Sequence, residues 1–167
     1  KNLNCSKVNN TLSDNITRLC VFSENGFETA PASMANRASL FGDGVFETMV
    51  FTRGKIRFGK EHQERLNLGL KTLKIEPSSL DIQKIEVYIN KNFEGKDTLR
   101  IRWNVYRAGQ GRYLPQNNQS LNLLLIEPPS LSIKIKNKSY ISKNINLPPS
   151  PWSHCKTLNG LNYVMAN

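Results

Sequence analysis

Apolar and polar residues alternate along Leu99-Arg-Ile-Arg-Trp-Asn-Val-Tyr-Arg107, with Leu99, Ile101, Trp103 and Val105 on one side and Arg100, Arg102, Asn104 and Tyr106 on the other. A period of two predicts a strand covered on one face. Upstream, Val45-Phe-Glu-Thr-Met-Val-Phe51 is rich in β-branched and aromatic residues, and Arg53-Gly54 separates it from Lys55-Ile-Arg-Phe58. This predicts a hairpin. From Glu61 the period lengthens: Leu66, Leu70 and Leu73 fall on one face of a helix that Pro77 is expected to end. Ile82, Ile85 and Ile89 predict a second helix after Ser78-Ser79, with Ser79 or Asp81 capping its exposed amides. Arg18-Leu-Cys-Val-Phe22 reads as a short strand, followed by a loop marked by Gly26 and Pro31, and Leu121 to Ile126 as a more continuously apolar strand. Residues 132–136 and 139–143 alternate again, and Pro148-Pro149-Ser-Pro151 reads as a rigid connector.

The order strand, hairpin, two helices, strands predicts an α+β domain over residues 17–127. Residues 1–16, polar and rich in Asn and Ser, are expected to be a tail. The changed pattern after Pro128 makes 128–167 a connector and the beginning of a second domain, most of which the chain lacks.

Composition narrows the class. Hydrophobic residues are 38% and charged residues 22% of the 167, interspersed along most of the chain, as in a folded protein. No apolar run approaches the ~20 residues of a membrane helix, and no secretory signal is visible at the start. Cys5, Cys20 and Cys155 are too far apart to suggest a disulfide framework or a zinc site, and read as free thiols. The expectation is a soluble, cytoplasmic protein with no metal and no membrane partner. The formal charge of +10 favours anionic partners without choosing among them. Nucleic acid is one option, because Arg100, Arg102, Arg107 and Arg112 interleave with Trp103, Tyr106 and Tyr113.

Four segments carry candidate chemistry. Gly42-Asp43-Gly44, read alone, is a turn that needs glycine's conformational freedom. Glu61-His-Gln-Glu-Arg-Leu66, read alone, is a solvated helix face with Glu61 and Arg65 paired at i, i+4. Lys156-Thr-Leu-Asn-Gly-Leu161 is, by composition, a surface lysine before an apolar stretch. Tyr106-Arg-Ala-Gly-Gln-Gly-Arg-Tyr113 is a strand end that passes into a basic, glycine-bearing loop.

With their flanks, these segments resemble the class IV family of pyridoxal-phosphate enzymes, which includes aminotransferases and aminodeoxychorismate lyases. Arg37-Ala-Ser-Leu-Phe-Gly-Asp-Gly-Val-Phe-Glu-Thr48 is similar to the glycine-bracketed start of the family's hairpin. His62-Gln-Glu-Arg-Leu66 is similar to its His-x-x-Arg-Leu helix. Lys156-Thr-Leu-Asn-Gly-Leu161 is similar to its Lys-x-Leu-Asn-x-Leu sequence. The three occur in family order over residues 35–167. The resemblance implies the small two-layer N-terminal domain of the D-amino-acid aminotransferase-like fold, followed by the start of a β-rich second domain. It also implies pyridoxal 5'-phosphate as cofactor, a homodimer, and a small substrate carrying an amino group and carboxylates, with no role for nucleic acid. Lys156 would bond to the cofactor and move protons, for which its pKa must fall from ~10.4. Arg65 would grip the phosphate. Arg112, and less directly Arg107, would meet substrate carboxylates.

The finer pattern points within the family. Branched-chain aminotransferases have a tyrosine where this chain has Leu161. The D-amino-acid branch has a tyrosine in place of Phe46, which lines the substrate side, and a histidine in place of Leu114. Thr48, a second catalytic candidate, matches a threonine of the lyases. The resemblance therefore implies a 4-amino-4-deoxychorismate lyase, releasing pyruvate and 4-aminobenzoate. A branched-chain or D-amino-acid aminotransferase is the alternative, and an inactive truncated homologue a more remote one.

Overall fold

Residues 18–29, 36–109, 113–129, 138 and 141–166 are described by a computed structural model, and the structural statements below concern them. The alternating segments become a six-stranded antiparallel sheet in the order β2-β1-β6-β5-β3-β4. Its strands are β1 (Arg18–Ser23), β2 (Gly26–Thr29), β3 (Gly44–Thr52), β4 (Lys55–Ile56), β5 (Thr98–Arg107) and β6 (Ser120–Glu127). The spine is β3 against β5, in register from Gly44 opposite Tyr106 to Thr52 opposite Thr98. The expected hairpin is β3–β4. Arg53 (φ 51°) and Gly54 (φ 78°) turn it with positive φ at both central positions, the geometry whose twist matches that of the strands.

The helices are α1 (Arg37–Phe41), α2 (Gly59–Thr72), α3 (Ile82–Asn92) and α4 (Leu161–Met165). On one face of the sheet, Val45, Met49 and Phe51 of β3, Leu99, Ile101, Trp103 and Val105 of β5 and Leu124 and Ile126 of β6 meet Leu66 and Leu70 of α2 and Ile85 and Ile89 of α3. All are buried. Trp103 lies inside this layer because its indole N–H has a partner: Nε1 donates to Oδ1 of buried Asn122 at 3.0 Å, which also accepts from Ser78 Oγ at 2.7 Å. The opposite face carries Phe46, Thr48, Val50, Arg100, Arg102 and Asn104, partly exposed. The architecture is α+β, with a helical layer on one side of the sheet.

Helix ends follow local chemistry. Asp81 caps α3 through Lys84 N at 2.8 Å, resolving the two sequence candidates in its favour. Helix α2 stops well before Pro77. Lys74 takes a left-handed conformation (φ 56°), its N–H bonds Lys71 O, and Ile75 N bonds Leu70 O at 2.9 Å. These paired bonds satisfy the last carbonyls without any help from proline.

Three elements were not anticipated. Helix α1 has a reciprocal cap, with Asn36 Oδ1 accepting from Ser39 N and Ser39 Oγ from Asn36 N. Strand β2 occupies part of the expected loop, and α4 follows Lys156. One expectation needs correction: Ile141, Ser142 and Lys143 form no strand, and Ile141 is 93% exposed, so the alternation there has no covered face. The rest of that segment, the segment 132–136 and the polar tail lie outside the described residues. None of the helices is long and apolar enough to cross a membrane.

Candidate active site

Strand β4 pairs with β3 only at Phe51 and Thr52, which leaves the first half of β3 with a free edge. Residues 156–158 take it. Thr157 bridges Val45, Phe46 N donates to Lys156 O at 2.9 Å, and Leu158 N donates to Gly44 O at 3.0 Å. The approach is fixed by a turn (Cys155 N to Trp152 O, 2.9 Å) and by His154 Nε2 beside Thr72 Oγ1 at 3.2 Å. On the far side, the Asn159 side chain lies against Gly42 (φ 61°), where a Cβ would stand 2.1 Å from Asn159 Oδ1. Glycine thus serves two requirements there, a left-handed backbone and close approach.

This anchoring places the Lys156 amine 4.7 Å from the centre of the Phe46 ring, and the same ring lies 3.9 Å from the Arg102 guanidinium carbon. Burial lowers the Lys156 pKa; Glu47 opposes the shift, and the positive charges of Arg65, Arg102 and Arg100 add to it. The amine therefore loses its proton more readily than a surface lysine does, as a nucleophile and proton carrier requires.

Glu47 is the other centre of charge. It sits on the covered side of β3, its side chain 1% exposed, where an unpaired carboxylate would be costly. It is paired twice over. Arg65 Nε donates to Oε1 at 2.7 Å and Nη2 to Oε2 at 2.5 Å, while His62 Nδ1 lies 2.7 Å from Oε2. Burial acts to raise the Glu47 pKa, but hydrogen bonds and charge from Arg65 and His62 outweigh it and hold the carboxyl below the usual range. Arg65 stays half-exposed, and its Nη1 bonds no described residue. A cleft of about 590 Å³ lies at the Gly42-Asp43 turn, lined among others by Phe41, Asp43, Arg107, Tyr113, Trp152 and Thr157.

The family model for amino-transferase class IV matches residues 44–167, from the start of β3 to the end of the chain. The chain belongs to the class IV aminotransferase family. Solved structures share its fold. A 4-amino-4-deoxychorismate lyase from Pseudomonas aeruginosa is 22% identical with a TM-score of 0.64, over 90% of this chain and 55% of that one. A fold IV transaminase from Curtobacterium pusillum is 16% identical with a TM-score of 0.58, over 90% and 59%. A branched-chain amino acid aminotransferase from Escherichia coli is 18% identical with a TM-score of 0.57, over 88% and 52%. The chain thus spans a little over half the length of these structures. No curated protein sequence matches it.

Pyridoxal phosphate is the cofactor of the class IV family. The donor set here fits it: an amine of lowered pKa for the aldehyde and an arginine with an unbonded Nη1 for the phosphate. Of the residues expected from sequence, Lys156 and Phe46 are in contact, Thr48 is two residues further along the same face of β3, and Arg65 acts electrostatically on Lys156. Arg112 lies outside the described residues.

Arg107 is tightly held by the fold. It is buried, and its guanidinium bonds Asp43 Oδ2 (3.0 Å), Lys74 O (3.0 Å), Leu73 O (2.7 Å) and Asn118 Oδ1. It ties the end of α2 to the Gly42-Asp43-Gly44 turn, where Arg37 Nε shares the same Asp43 oxygen at 2.7 Å. These bonds give it a structural role, and it also lines the cleft at Asp43. Sequence reasoning missed Glu47, His62 as its partner, and Arg102. Of the aromatics that could stack on a nucleic acid, Trp103 and Tyr106 are fully buried and Tyr113 is exposed.

Proposed function

We propose that the chain carries the cofactor lysine of a pyridoxal-phosphate enzyme with 4-amino-4-deoxychorismate lyase activity. The observation that supports this best is the open face of β3, where the Lys156 amine lies at Phe46 and Thr48 stands opposite Arg102 in the neighbouring strand. When bound, pyridoxal phosphate supplies an aldehyde that captures the substrate amine and a ring that draws electrons from the adjacent carbon. Lys156 would remove the proton from that carbon; the bond from the substrate ring to its enolpyruvyl oxygen would then break, the substrate ring becoming aromatic and the departing enolate taking up a proton to become pyruvate. Arg65 would hold the phosphate through its free Nη1, and the Thr48 hydroxyl would assist the proton transfer. Arg102 and Arg112 receive substrate carboxylates. The active enzyme is a homodimer.

Leu161, Phe46 and Leu114 favour this reaction over transamination, since each replaces a polar side chain that one of the aminotransferase branches uses. The whole enzyme, supplied with cofactor and aminodeoxychorismate but no amino acceptor, should release pyruvate and 4-aminobenzoate in equal amounts. Amino transfer from branched-chain or D-amino acids, with no pyruvate from aminodeoxychorismate, would assign it to the aminotransferases.

A further inference from the structure

We infer that Glu47 is the positioning residue for cofactor phosphate: it holds Arg65 by one edge so that the opposite edge is presented, already ordered, to a phosphomonoester. This rests on the reading of Arg65 as the phosphate ligand.

The argument begins with the cost of Glu47. A carboxylate on the covered side of a strand, in line with Val45, Met49 and Phe51, does nothing for the core that an apolar residue would not do better. The fold retains it with every oxygen engaged. Because the carboxyl is ionised it can only accept, so His62 Nδ1 must carry the proton between them. The 3.4 Å approach of Arg65 Nη2 to His62 Nδ1 is then a meeting of two donors held close by one acceptor.

The geometry of the pair has a direction. Glu47 takes the Nε–Nη2 edge of the guanidinium, which leaves Nη1 and one proton of Nη2 facing away on a side chain that is 48% exposed. A free arginine carries about 2 kcal/mol of rotamer entropy that an anion would have to freeze. Here the buried carboxylate has already frozen it. A helix-surface arginine becomes a fixed fork, and His62, one turn earlier on α2, fixes the carboxylate in turn.

The test compares two probes on the whole protein, pyridoxal 5'-phosphate and unphosphorylated pyridoxal, each titrated by absorbance. Glu47→Gln should weaken pyridoxal phosphate about tenfold or more and leave pyridoxal nearly unchanged, since the loss falls on the charge-assisted phosphate contact. Glu47→Asp, which keeps the charge but cannot reach both nitrogens at once, should fall between and serves if the glutamine variant does not fold. Equal weakening of both probes would make Glu47 a purely structural residue and overturn the inference, as would unchanged affinity. Arg65→Ala separates the underlying reading: if it leaves the preference for the phosphorylated probe intact, Arg65 is not the phosphate ligand.

Discussion

An alanine at Gly44 tests how closely the lysine's anchor depends on sheet packing. A Cβ at this position would lie 2.5 Å from Val105 O, 2.7 Å from Tyr106 Cβ and 2.8 Å from Tyr106 Cα. Favourable carbon contacts lie at about 3.5–4.0 Å. The obstructing atoms belong to the backbone and first side-chain carbon of the neighbouring strand, so no rotamer change relieves the clash; β3 and β5 must separate by roughly 1 Å locally. Overpacking of this kind costs about 1–3 kcal/mol. For a chain of this size each kcal/mol lowers Tm by roughly 2–4 °C. Gly160→Ala is the control, because nothing lies within 4 Å of its Cβ and its φ of −100° suits any residue. Its change should stay within about 0.5 kcal/mol. Since Gly44 O accepts from Leu158 N, the same shift should loosen Lys156 and weaken cofactor binding. Thermal denaturation and a cofactor titration measure both effects. A Gly44→Ala protein that melts with the wild type and binds pyridoxal phosphate equally well would refute the reasoning.

Lys74→Gly relieves a left-handed backbone worth about 1–2 kcal/mol against a loss of about 0.4–1 kcal/mol from the more flexible unfolded chain, so denaturant unfolding should show a small net gain in stability. Asn122→Ala strands the buried Trp103 indole N–H and the Ser78 hydroxyl and should cost about 1–3 kcal/mol; Trp103→Phe in the same background should then cost less than it does alone. The Glu47 pKa is lower in the folded than in the unfolded chain, so its ionised form contributes stability that is fully present above the unfolded value near ~4.3 and is lost as pH falls below it. Unfolding measured at descending pH should therefore show the gap between wild type and Glu47→Gln closing in the acid range, and a constant gap would contradict this assignment.

The sheet was legible because its strands are covered on one face. In β5 the parity of Leu99, Ile101, Trp103 and Val105 also includes Arg107, so the alternation itself directs Arg107 inward; attention to the loop beyond it suggested the opposite. Glu47 shows the same logic in β3, where it falls on the parity of Val45, Met49 and Phe51. A charge at such a position must find a partner, but Arg65 and His62 lie a hairpin and a helix turn away, beyond any local pattern. Helix α1, with five residues, is too short for a period, although Asn36 and Ser39 have the spacing of a reciprocal cap. Lys156 was found by its motif alone. Its place on the edge of β3 is a contact between distant parts of the chain, made possible because β4 is too short to cover that edge.

The central claim is that Lys156 is the residue that holds the cofactor. Borohydride treatment of the whole protein loaded with pyridoxal phosphate would fix the cofactor to whichever lysine binds it, and mass spectrometry of the peptides would identify that residue. The account predicts a single major label on Lys156, absent from Lys156→Ala while that variant remains folded. A label spread over surface lysines, or one retained in Lys156→Ala, would contradict it.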